Sequence, residues 1–334
     1  MKAALLLIAG LLVLAVAAAA SAWWWWLRPD FRAAPPAAGT TQRHALHHEG
    51  RLRSWRLVLP GGTVPPRALL VVLHGSRQTG DRFRSWTGGR LDELADHHGF
   101  AVAYADGVQG HWNDCRRLGD FAAKTLRIDD VGFLRRLIDG TVQDLRIDPA
   151  RVVMLGYSNG GHMALRFAIE GDRPLQALVM IGASVPADDN FACAGQAVST
   201  PAMLIAGTED PINPFAGGRV VLLGSDRGAV RSVEASARWL AGDGARLVAA
   251  RDDAVGTGGL PPMRVIDQLW QGKAMHPVRV LAVEGGGHTV PQPRVRFPRV
   301  LGRTALHVDA LAQAVEFAGL TQAGAAATPA SPVP

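Results

Sequence analysis

Six short apolar runs, at residues 68–73, 100–104, 152–155, 177–181, 202–206 and 278–283, lack a sustained alternation of apolar and polar residues. A strand with one face in water alternates, so runs of this kind predict strands covered by helices on both faces. Between the runs lie helical spacings. Val131, Leu134, Leu137, Ile138, Val142 and Leu145 recur at helical intervals behind Asp129, an N-cap candidate. Residues 159–169 predict a second helix, and Val308, Leu311, Val315 and Ala318 a closing one. This order of elements predicts an α/β fold with a mostly parallel, doubly wound sheet and helices on both faces. The alternation over 53–59, closed by Pro60, Gly61 and Gly62, predicts an antiparallel edge strand and a turn.

The 334 residues are 48% hydrophobic and 19% charged, which suits one folded domain, placed at 51–320. Lys2, an apolar run over 3–20 and Ala20-Ser21-Ala22 have the form of an export signal with a cleavage site. The run continues through four tryptophans to Leu27, long enough to span a bilayer. Residues 1–27 therefore read as a signal peptide or an N-terminal membrane anchor. Either places the domain outside the cytoplasm: periplasmic, extracellular or tethered to the outer side of the membrane. Residues 28–50 read as a flexible linker and 321–334 as a disordered tail. Cys115 and Cys193 suit an oxidising compartment as one disulfide, and their spacing gives no metal site. The net charge of +6 comes from scattered arginines without interleaved aromatics, so no nucleic-acid partner is expected. Membrane contact is expected only through the N-terminal segment, and oligomeric state is not legible.

Residues 152–161 join an apolar run to a helix through Gly156-Tyr157-Ser158-Asn159-Gly160. A sharp strand-to-helix turn exposes a serine hydroxyl to a base, which makes Ser158 a nucleophile candidate. In parallel sheets the working residues follow the carboxyl ends of the strands. Asp210 follows the run at 202–206, with Glu209 as a competing carboxylate, and His288 follows the run at 278–283. The order serine, acid, histidine is that of a hydrolytic triad on such a sheet. The backbone N–H groups of Asn159 and Ser76 are candidates for an oxyanion hole. His74 and Gln78 read as braces of the turn around Ser76, Asp106-Gly107 as an ordered turn, and Trp112 as a substrate contact.

These residues together resemble the secreted esterases of the polyhydroxybutyrate depolymerase and feruloyl esterase family. The similar stretches are L-H-G-S-R-Q-T at 73–79, Y-A-D-G-V at 104–108, H-W-N-D-C at 111–115, D-D-V-G-F-L at 129–134, G-Y-S-N-G-G at 156–161, G-T-E-D-P-I at 207–212 and G-G-G-H-T-V-P at 285–291. The resemblance implies an α/β-hydrolase fold, a triad of Ser158, Asp210 and His288, and hydrolysis of carboxylic esters through an acyl-enzyme. It implies no metal and no cofactor. The implied substrate is a small ester or a polymer-derived oligomer. A serine peptidase on the same fold and a non-catalytic envelope binding protein are the alternatives.

Overall fold

The computed structural model describes residues 2–32, 38–194, 198–253, 263–273 and 276–321. The expected tail beyond Thr321 and most of the loop from Asp252 to Pro262 lie outside them. The chain opens with α1 (Lys2–Leu27), β1 (Asp30–Phe31), and the antiparallel pair β2 (Thr40–His48) and β3 (Arg51–Leu59). Then follow β4 (Leu69–Leu73), α2 (Gly80–Trp86), α3 (Arg90–His98), β5 (Ala101–Ala105), α4 (Ala122–Thr125), α5 (Asp130–Leu145), β6 (Val152–Tyr157) and α6 (Asn159–Glu170). The second half holds β7 (Ala177–Ile181), β8 (Ala202–Gly207), the hairpin β9 (Gly218–Leu222) and β10 (Ser225–Val230), α7 (Val233–Ala241), β11 (Arg246–Asp253), β12 (Val265–Gln271), β13 (Val278–Val283), β14 (Val295–Arg296) and α8 (Ala310–Phe317).

The main sheet has ten strands in the order β11-β12-β13-β8-β7-β6-β4-β5-β3-β2. The central run from β13 to β5 is parallel, and an antiparallel pair extends it at each edge. Alternate residues of one strand feed two cores. Val152 and Met154 pack with α5, α6 and α7, while Val153 and Leu155 pack with α2, α3 and α8. Both faces are thus dry, which is why the central strands carry no alternation. Helix starts are capped as side-chain chemistry requires: Asp129 accepts from Gly132 N, Ser232 from Ala235 N and Asp309 from Ala312 N.

Two expectations need correction. Residues 28–50 are not one flexible linker, because β2 pairs with β3 from Thr40 opposite Leu59 to His48 opposite Arg51. The connection turns at Glu49 and Gly50, both at positive φ. β2 is largely exposed and offers no apolar stripe, so its only signal is the ladder it completes. β3 is accordingly an inner strand, and the edge passes to β2. Behind β3, Arg53 donates to Asp130 at 2.6 Å with side chains 3% and 0% exposed. Burial raises the Asp130 carboxyl despite that arginine. At the N-terminus, 8–27 form the one helix among the described residues long and apolar enough to cross a membrane, and none of it is buried.

Candidate active site

Ser158 sits where β6 hands over to α6, at φ 54° and ψ −119°. A non-glycine residue held there costs about 1–3 kcal/mol, so its surroundings must enforce it. They do so by close approach. A Cβ on Gly156 would collide with Gly160 O, and one on Gly160 with the carbonyls of Leu73 and His74. The serine N–H donates to Ile181 O at 2.8 Å, pinning the turn to the end of β7. Although Ser158 occupies the N-cap position of α6, its hydroxyl makes no capping bond and is left available.

Two further strand ends converge on this turn. Asp210 follows β8 and His288 follows β13, and these strands are parallel neighbours. Gly207 has no room for a Cβ against the carbonyls of Gly286 and Gly287, so the two loops are pressed together. Asp210 Oδ2 lies 2.7 Å from His288 Nδ1, with side chains 1% and 4% exposed. Asp210 Oδ1 accepts from Ile212 N and Asn213 N, each at 2.8 Å. Both carboxylate oxygens are therefore engaged, and the imidazole is held with its proton on Nδ1 and Nε2 free to act as a base. Tyr157 OH donates to His288 O at 2.8 Å, and its ring centroid lies 5.1 Å from that of the imidazole. Glu209 is exposed and takes no part. No hydrogen bond joins Ser158 Oγ to His288 Nε2, a contact that such sites often tighten only with substrate. A Cβ on Gly182, the residue after β7, would come within 3.0 Å of the His288 ring, placing the imidazole beside the carbonyl that holds Ser158.

Opposite this pair, the turn after β4 carries Ser76. His74 Nδ1 donates to Gly75 O at 2.7 Å, and His74 Nε2 accepts from Gly107 N at 2.9 Å. Both contacts require a neutral ring, and burial lowers its pKa to about 4. Gln78 Oε1 accepts from Gly75 N at 3.1 Å, the bracing expected of it. Among the described residues, neither Ser76 N–H nor Asn159 N–H donates to a protein acceptor. Asp106 is a brace as well, accepting from Ser54 Oγ and Gly80 N.

Trp112 is placed differently from expectation. It is fully buried, its Nε1 donating to His74 O at 3.0 Å, so it supports the Ser76 turn rather than touching a substrate. The aromatic is the filling beneath a loop, and its indole N–H is spent inside. What sequence reasoning missed is the Asn159 side chain. Its Oδ1 accepts from Trp112 N, and its Nδ2 donates to Trp112 O and to Asp114 Oδ2. Burial alone would raise the Asp114 carboxyl, but Arg116 and Lys124 outweigh it and hold it well below the usual range. The adjoining Cys115 is joined to Cys193, Cα atoms 5.0 Å apart. The H-W-N-D-C string was the available signal, yet nothing in its composition says which residue it grips.

A profile of the family described as "Esterase PHB depolymerase" matches residues 53–213. The chain is 30% identical over 302 residues to NocK of Nocardia uniformis subsp. tsuyamanensis, a protein described as an esterase, covering 85% of this chain and 84% of that one. Among solved structures it is similar to an acetyl xylan esterase from Aspergillus awamori, with a TM-score of 0.52 at 12% identity, over 85% of this chain and all of the other. The layered sheet, the matched motifs and the relative converge: the chain belongs to the PHB depolymerase esterase family, an α/β-hydrolase and a carboxylic ester hydrolase.

Proposed function

We propose that the protein is an exported serine esterase in which Ser158 Oγ attacks the ester carbonyl. His288 Nε2 takes the hydroxyl proton and returns it to the departing alcohol, and Asp210 fixes the tautomer and balances the imidazolium. The N–H groups of Ser76 and Asn159 hold the developing oxyanion, a contribution worth about 3–4 kcal/mol per donor. Water then repeats the sequence on the acyl-enzyme. The observation carrying this reading is the strained Ser158 turn beside a histidine whose Nδ1 is committed to a buried carboxylate. The export part rests on the exposed apolar helix and the disulfide.

The test is covalent and catalytic together. A fluorophosphonate labels the wild-type protein at Ser158, and p-nitrophenyl butyrate is hydrolysed. Ser158→Ala, folded by circular dichroism, does neither; labelling elsewhere or retained turnover refutes the assignment.

A further inference from the structure

Arg227 of β10 is 4% exposed, and among the described residues no carboxylate forms an ion pair with it. Its Nε donates to Ser225 Oγ at 3.1 Å, that hydroxyl donates to Asp120 Oδ1, and among the described residues its terminal nitrogens have no protein acceptor. The guanidinium carbon lies 4.3 Å from the centre of the Phe121 ring. On the same ring stacks His111, centroids 4.9 Å apart and planes 19° from parallel. His111 Nδ1 donates to Gln109 O at 3.0 Å, so Nε2 presents a lone pair, and that atom is buried without a partner. The residue itself is 9% exposed.

A largely buried cation that reaches a carboxylate only through a hydroxyl is poorly balanced, and a buried lone pair without a donor is costly. The Ser76 turn adjoins this stack, because Arg77 N donates to Gly110 O at 2.8 Å, one residue before His111. Burial and the nearby Arg116 lower Arg227 to about 10, Asp114 and Asp120 resist that, and Arg77 adds to it. Arg77 directly follows Ser76, while Asp114 grips Asn159. The guanidinium thus shares the Phe121 ring with a histidine whose loop is bonded to the turn carrying Ser76. An anion delivered by the ligand satisfies it, and a hydroxyl or water arriving alongside satisfies His111.

We propose that Arg227, beside His111 on Phe121, anchors a free carboxylate on the substrate, so that the enzyme prefers esters carrying a second, ionised carboxyl group over neutral esters. This deepens the ester-hydrolase reading of Ser158 and rests on it.

Two matched pairs test it. The carboxylate sits on the acyl side in mono-p-nitrophenyl glutarate against p-nitrophenyl valerate. It sits on the alcohol side in the butyrate ester of 4-hydroxybenzoate against phenyl butyrate. In one pair the wild-type enzyme favours the anionic ester by about 10-fold or more in kcat/KM, the range of a charge-assisted hydrogen bond. Arg227→Met removes that preference and leaves neutral turnover within about threefold, and Arg227→Lys restores part of it. As a readout independent of the variants, free glutarate inhibits wild-type turnover of the neutral ester more strongly than glutaramide does. Equal ratios for wild type and Arg227→Met in both pairs, or equal inhibition by glutarate and glutaramide, overturn the subsite. Fluorophosphonate labelling of Ser158 is read in parallel: if labelling and neutral turnover persist without a preference, the subsite alone fails, and if both are absent, the serine reading fails with it.

Discussion

The two flanks of Ser158 are built on different physics. On one flank, Asp210 and His288 are set by close backbone packing at Gly207, Gly286 and Gly287, with few charges and one imidazole nitrogen left unbonded. On the other, Asn159, Trp112 and Asp114 form a closed network, salt-linked to Arg116 and tied down by the disulfide. The first flank keeps a proton acceptor in reserve, as acid–base work demands. The second leaves few polar atoms unsatisfied and fixes where Asn159 points its N–H. One flank is made to react, the other to hold still.

The sharpest way to break the comparison is on the reactive flank. Ser158→Ala or His288→Ala should cut kcat by about 10^6-fold, as removal of such groups does elsewhere, with little change in thermal midpoint. Asp210→Asn should cost about 10^4-fold, since the imidazole is then held in the wrong tautomer. A variant that instead unfolds would show that this flank also carries the structure. On the rigid flank the ordering reverses. Asp114→Asn leaves Arg116 and Lys124 without their buried partner and should lower unfolding free energy by about 3–5 kcal/mol in urea titrations. Its activity, measured below the unfolding transition, should fall far less than that of Asp210→Asn.

His74 gives the rigid flank a pH signature. Its folded pKa, about 4, lies below the ordinary 6.5, so the unfolded chain takes up the proton first as pH drops. The stabilisation is therefore full above pH 6.5 and is lost as pH falls toward 4, about 3 kcal/mol in all. Urea midpoints at pH 7, 5.5 and 4.5 should show a steeper loss for wild type than for His74→Gln. Parallel curves would mean that the ring is not held neutral. The smallest effect is expected at Tyr157→Phe, which strips one hydrogen bond from the His288 carbonyl and should cost about 1 kcal/mol in stability.

Much of this was legible in the chain. The unalternating runs marked every central strand because a strand dry on both faces has no polar side to show. Ser158, Asp210 and His288 stood at strand ends, where the sheet itself fixes the neighbourhood. β2 was illegible because its ladder partner, not its own residues, makes it a strand. Trp112 was misplaced for a related reason: a tryptophan in a glycine-rich loop reads the same whether its indole faces a cleft or the interior, and only the carbonyl of His74 decides. Arg227 lay in a stretch with no apolar pattern, and its place against Phe121 is visible only in three dimensions.

The carbonyl-to-glycine contacts at Gly156, Gly160, Gly207 and Gly287 also constrain the protein's descent. No mutation that adds a methyl group at these points leaves the loops where they are, so the turnover machinery has almost no neutral neighbours in sequence space. Within the β9–β10 hairpin the one such contact, at Gly228, meets the Asn190 side chain rather than backbone, and Gly218 and Gly224 face open space. New substrate tastes in this lineage should therefore arise by rewriting the hairpin while the elbow stays frozen.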